Sequence, residues 1–203
     1  MGKARETPPD DEDSGGVTRE DILHWVRGFV WRGEHDREEI AIMIEEQLGE
    51  GDEIDPKWLD KEIRREFAAK RKAEKTWPKV TDCDRLDRAF ETLEQQGIIT
   101  LQTAGFTQSD GLEEVEDAYR DAGGKKSGYA GHCFFTEQDQ EGALSGGGLH
   151  IGFGHLSGND SKGVEVGRMV RAALEQEGLK VKWNGKITSR LYVKEFLWQR
   201  RGA

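Results

Sequence analysis

Cysteine is scarce. The chain has two in 203 residues, Cys83 and Cys133, too few for a secreted disulfide framework, so both are expected as thiols in a reducing compartment. Long hydrophobic runs are missing too. No stretch approaches the roughly 18 apolar residues of a membrane span, and the polar opening MGKARETPPDDEDSGG has no apolar segment of the kind a signal peptide carries. These absences predict a cytoplasmic protein without membrane contact. Positive charge is in deficit, with 30 basic against 40 acidic side chains and a formal charge of -10, which argues against nucleic acid as a partner. Apolar residues make up 34% of the chain, enough for one sizeable core or two small ones.

Charge is unevenly spread. Residues 1–80 carry 21 acids and 15 bases, residues 81–145 carry 14 and 5, and residues 146–203 carry 5 and 10. Of the 26 glycines, 19 lie from Gly97 onward, the mark of a turn-rich, strand-containing region behind a helical front. Trp77-Pro78 marks the change, because the residue before a proline is pushed out of the helical basin. The expected organisation is a disordered tail over residues 1–16, a helical region over 17–79 and an α+β domain over 80–203. The tail holds two prolines and a run of acids with nothing apolar to anchor it. The acidic middle and the basic end are expected to attract one another.

Periodicity fills in the elements. Thr18 caps a predicted helix whose Ile22, Trp25, Val26, Phe29 and Val30 recur at three and four residues, with Gly33 to end it. A second helix is predicted over 36–48, with Ile40, Met43 and Ile44 as its stripe and Gly49 as its stop. A third starts at Asp55-Pro56, buries Leu59, Ile63 and Phe67, and dissolves into AAKRKAEK. Thr81 caps a fourth, built on Leu86, Ala89, Phe90 and Leu93 and closed by Gly97, and residues 98–101 read as a strand. Asp110 with Glu113 reads as a capping box for a helix over Leu112, Val115 and Tyr119. Strands are predicted over 127–136 and 149–156 with a short helix between them, followed by a helix over 164–177 and a strand in LKVKW. Asn184-Gly185 predicts a tight hairpin into a last strand over 189–198. The expected fold class is α+β: an N-terminal helical bundle against a C-terminal mixed β-sheet sandwich with helices on one face, a ferredoxin-like variation among the options.

Chemistry is harder to find. Neither GxGxxG between strand and helix, nor GxxxxGK[ST], nor GxSxG occurs. Gly152 and Gly154 share a strand face, where their simplest role is to let another group approach closely. His150 and His155 fall on opposite faces of their strand and cannot share a metal without a bulge, and His132 with Asp139 or Glu137 is too small a ligand set for zinc. No metal and no cofactor is expected. Cys83 lies in a helix's first turn between Asp82 and Asp84, which oppose its thiolate, and Cys133 faces away from its neighbour His132. The polar segment FFTEQDQEGA leaves an apolar strand at a place where open sheets bind ligands, although Thr136 or Asp139 there could equally be a helix cap. Basic residues between Lys61 and Lys79 are interrupted by Glu62, Glu66 and Glu74, a poor footing for DNA or RNA.

TDCDRLDRAFETLEQQGIITLQTAGFTQSDG at 81–111, GYAGHCFFTEQDQEGA at 128–143 and GGGLHIGFGHL at 146–156 resemble the signature blocks of an uncharacterised bacterial domain family of unknown function, over about residues 80–200. The resemblance places Gln108, Ser109, Asp110, Gln138, Asp139 and Gly154 at motif positions and carries no activity. Two classes of function stay open. One is a non-catalytic binding or regulatory module for a protein partner or small ligand, as a monomer or homodimer. The other is a small hydrolase or transferase with a polar site at Gln108, Asp110, His132, Gln138 and Asp139.

Overall fold

The computed structural model describes residues 17–49 and 52–202; the predicted tail over 1–16 lies outside them. Side-chain caps start every described α-helix. Thr18 caps α1 (Arg19–Arg32), Asp36 caps α2 (Arg37–Gln47), and Asp55 with Pro56 starts α3 (Pro56–Glu74). Thr81 caps α4 (Asp82–Gln95), Thr107 caps α5 (Gln108–Asp121), and Thr136 caps α6 (Glu137–Leu144). Asn159 caps α7 (Asp160–Gln176). In five of these the third residue is an acid that accepts the cap's own N–H, completing a capping box.

Three helix expectations need correction. α3 does not dissolve at AAKRKAEK but runs to Glu74, since alanine, lysine, arginine and glutamate are all strong helix formers. The box of α5 pairs Thr107 with Asp110, not Asp110 with Glu113. α7 begins at Asp160 rather than near residue 164, because the Asn159 side chain accepts the Lys162 N–H at 3.0 Å.

Five strands form one mixed sheet in the order β1-β2-β3-β5-β4. They are β1 (Ile98–Leu101), β2 (Gly131–Phe134), β3 (Leu149–His155), β4 (Lys180–Lys182) and β5 (Leu191–Lys194). β1 runs parallel to β2, while β2/β3, β3/β5 and β4/β5 are antiparallel. Asn184-Gly185 is not a two-residue turn. β4 and β5 are joined by residues 183–190, a loop held by the Trp183 indole, which donates to the Lys186 and Ser189 carbonyls at 3.1 and 3.0 Å. β5 stops at Lys194 instead of reaching residue 198, since Glu195 takes a left-handed φ of 58° that breaks the extended chain.

Helices cover both faces of the sheet, so the expected one-sided sandwich is not what forms. α4 and α7 seal one face over Cys133, Leu149, Ile151, Leu191 and Val193. Gly163 and Gly167 bring α7 close: a Cβ on Gly167 would stand 2.6 Å from the Phe153 ring. α5 lies on the opposite face, where Ala104, Val115 and Phe134 form a smaller cluster. α6 between β2 and β3 also departs from the βαββαβ order of a ferredoxin-like fold. The architecture is an α+β fold of seven helices and five strands among the described residues.

α1, α2 and α3 bury their own cluster, including Ile22, Val26, Ile40, Ile44, Leu59 and Ile63. This group reaches the rest through α1. Arg32 pairs with Glu137 and Glu141 of α6 at 3.3 and 3.0 Å, and the Trp198 indole donates to the Arg32 carbonyl at 3.1 Å. The expected attraction between the acidic middle and the basic end takes the form of pairs: Arg200 with Asp87, Arg201 with Asp84 and Arg190 with Asp139. No described helix is long and apolar enough to cross a membrane.

Candidate functional site

Strand alternation sends every second side chain to the face that α4 and α7 do not cover. His132 and Phe134 project there from β2, His150, Gly152 and Gly154 lie there on β3, and Tyr192 on β5. α5 roofs only the β1/β2 side. The two glycines leave a depression in the sheet that neighbouring side chains enter. A Cβ on Gly154 would stand 2.7 Å from His132 Cε1, and one on Gly152 would stand 2.9 Å from Gln108 Oε1 and 3.3 Å from the Phe134 ring. Above them a cavity of about 190 Å³ opens between Gln108, Leu112, His132, Phe134 and the loop residues 187–190. A larger groove, about 520 Å³, lies where α1 meets α6, but its Arg32, Glu137 and Glu141 already pair with one another.

At the cavity's rim Asp139 organises the polar groups. It is the third residue of α6, 7% exposed, and its Oδ2 accepts from the Thr136 N–H at 3.2 Å and hydroxyl at 2.9 Å. Gln108 Nε2 reaches the same oxygen at 3.4 Å, and Arg190 Nη1 lies 2.9 and 2.8 Å from the two carboxylate oxygens. Both carboxylate oxygens accept from donors of the same chain, Oδ1 from Arg190 alone. The carboxylate holds Arg190 by Nη1 alone, and Nε and Nη2 make no hydrogen bond among the described residues.

His132 is 8% exposed, and its Nδ1 is buried without a hydrogen-bond partner. Burial, with the nearby His155 adding to it, pushes its pKa down to about 4, so the ring is neutral at ordinary pH. His150 stacks on Tyr192 with ring centroids 4.7 Å apart. Burial and Arg190 lower its pKa against the opposing pull of Asp139. The Tyr192 hydroxyl donates to the Gly147 carbonyl at 3.0 Å.

Of the five sequence-derived site residues, three meet here. Gln108 and His132 line the cavity, and Asp139 stands behind it, joined to it through Gln108 and Arg190. Asp110 turns back to the Thr107 N–H at 2.8 Å, and that backbone bond, with the Thr107 hydroxyl, holds its carboxyl below the usual range. Gln138 is exposed and does not line the cavity. Arg190 was missed as a site residue; the signal available was a cation in the loop after Asn184-Gly185, placed opposite an acidic middle segment.

The thiols do not contribute. Cys83 is buried and its thiol is pushed up to about 12 by that burial. Cys133 is buried on the sealed face, away from His132, and burial raises its pKa as well. Among the described residues no three histidine, cysteine or acidic side chains converge as a metal ion would require.

A family model described as Domain of unknown function (DUF6891) matches residues 16–202, and the chain belongs to that family. The match extends beyond the 80–200 stretch that carries the resemblance and takes in α1, α2 and α3. No curated protein and no solved structure matches the chain.

Proposed function

We propose that this member of the DUF6891 family is a non-catalytic binding module that holds a small ligand on the open face of its sheet. One observation carries the reading. Asp139, the acid best placed for chemistry, is taken up by Thr136, Gln108 and Arg190, so what lines the cavity is an arginine anchored at Nη1 and a neutral imidazole. Such groups orient a molecule; nucleophilic turnover needs an activated nucleophile as well, and neither thiol is among the cavity's lining residues. A hydrolase or transferase built on the five residues is poorly served, because Asp110 caps α5 and Gln138 stands outside the cavity.

The division into a helical region over 17–79 and an α+β unit over 80–203 belongs to the same proposal, supported by their separate apolar clusters. The cytoplasmic setting belongs to it too, supported by two buried free thiols. The test is a ¹⁵N-resolved NMR screen of the whole chain against a fragment panel of acids, amines and neutral amides. Binding is expected to move the amides of Gly152, Gly154, Ser189 and Arg190 together. A panel in which no fragment moves that set overturns the reading.

A further inference from the structure

We propose that the ligand is a small monocarboxylic acid with an apolar body, its carboxylate on the free edge of Arg190 and its body against Leu112, Phe134 and Ile187. This rests on the small-ligand reading above and names the ligand's class.

Arg190 supplies the first argument. Nη1 sits on both oxygens of Asp139, and Nε with Nη2, which make no hydrogen bond among the described residues, form the guanidinium's side-on pair of parallel N–H donors. That fork matches the two oxygens of a carboxylate. The pairing also orders the side chain before a ligand arrives, which removes part of the entropy cost of binding.

Charge and size narrow the class. Arg190 lies against one carboxylate already, so the site is close to neutral before binding. One added negative charge completes a carboxylate–guanidinium–carboxylate array, whereas a dianion meets Asp139 at short range and a cation meets Arg190. Leu112 is 46% exposed at the cavity edge, and Phe134 and Ile187 line its wall, a surface for hydrocarbon. The volume of about 190 Å³ is below the range of roughly 300–1,000 Å³ typical for drug-sized ligands, which favours a small free acid over a larger molecule.

His132 adds a buried aromatic ring to the cavity's lining. It is more than nine-tenths buried, it lines the cavity, and its Nδ1 has no partner. That nitrogen is itself closed to solvent, so what the ring presents to the cavity is aromatic surface that suits an apolar body.

Benzoate is the probe, titrated into the full chain with isothermal calorimetry and NMR amide shifts as readouts. Benzamide, phenyl phosphate and a short peptide ending in phenylalanine with a free carboxylate serve as comparison arms. Benzoate is expected to bind with the Gly152, Gly154 and Arg190 amides moving, and more tightly than the other three. Arg190→Lys keeps the charge opposite Asp139 but loses the fork, and is expected to weaken benzoate about ten- to hundredfold. Leu112→Glu, at the exposed rim and away from the Asp139 pair, is expected to weaken it too, which keeps the test alive if the Arg190 variant does not fold. Benzamide as tight as benzoate, or phenyl phosphate tighter, overturns the monocarboxylate while leaving a small-ligand site standing. A tighter peptide overturns the free acid as the source. Benzoate binding unchanged in both variants overturns the placement on Arg190. No response to any arm or to the wider panel overturns the reading beneath.

Discussion

The two faces of the sheet come from the same strands, yet they are built to different ends. On the sealed face Leu149, Ile151, Leu191 and Val193 are each 0% exposed under α4 and α7. On the other face the same strands present His132, His150, Gly152, Gly154 and Tyr192, and only α5 covers part of them. Burial therefore concentrates on one side, while His132, His150 and Tyr192 stand on the other. Alternation makes this separation possible, because a residue can change on one face without disturbing the packing on its reverse.

The sharpest way to test that division is to truncate neighbours on β3. Ile151→Ala removes a fully buried side chain and is expected to cost about 2–5 kcal/mol. His150→Ala, one residue away on the open face, is expected to cost about 1 kcal/mol or less, since it loses chiefly the stacking on Tyr192. Urea denaturation midpoints at equal m-value read both. Equal losses from the two would mean the open face is as structural as the sealed one.

A second test uses pH to probe the open face alone. In the folded chain the His132 pKa lies at about 4, depressed below the unfolded value of about 6.5. The unfolded chain thus binds the proton more readily. Stability linked to His132 is fully present above about pH 6.5 and is lost as the pH falls towards about 4. The loss is on the order of 2–3 kcal/mol. Carboxylates titrate in the lower part of this window, so the measurement is a difference: His132→Gln, which has no such proton to bind, should lose less stability than the parent between about pH 7 and about pH 4.5. Parallel losses in the two proteins would place His132 in contact with water, and with it the picture of a buried, unsatisfied floor to the cavity would fail.

How legible the two faces are in the sequence differs in the same way. The sealed face could be read from spacing: Leu86, Ala89, Phe90 and Leu93 recur at helical intervals, and all four are buried. The caps at Thr18 and Thr81 were equally plain, because capping is a matter of a few adjacent residues. The open site depends on positions far apart along the chain. Asp139 and Arg190 are separated by 51 residues, and they meet through strand order and an eight-residue loop that Asn184-Gly185 disguised as a tight turn. Lys70 shows the same limit in the helical region. AAKRKAEK reads as the place where the third helix dissolves, yet Lys70 is 2% exposed, 3.7 Å from Glu74, and burial lowers its pKa. Periodicity reports which face of a helix is apolar; it does not report where another segment will be laid across it.

The smallest effect separates two acids that the sequence makes look alike. TQSD at α5 and TEQD at α6 each put an aspartate at the third helical position, and each aspartate completes a capping box. Their surroundings differ. Asp110 serves its own helix alone, whereas Asp139 also holds Arg190 and lies near Gln108. Asp110→Asn is therefore expected to shift the denaturation midpoint too little to resolve. Asp139→Asn substitutes an amide that cannot accept at both positions, and it leaves Arg190 without its counter-charge. Because the Arg190 side chain is 38% exposed, water recovers much of that loss, and about 1–2 kcal/mol is expected rather than the larger cost of a fully buried pair. The functional readout should separate the variants further: without Asp139 to anchor its Nη1, Arg190 is expected to bind benzoate several-fold more weakly, while Asp110→Asn leaves binding unchanged. Equal binding in the two variants would show that Asp139 is a cap like Asp110 and that the guanidinium needs no positioning.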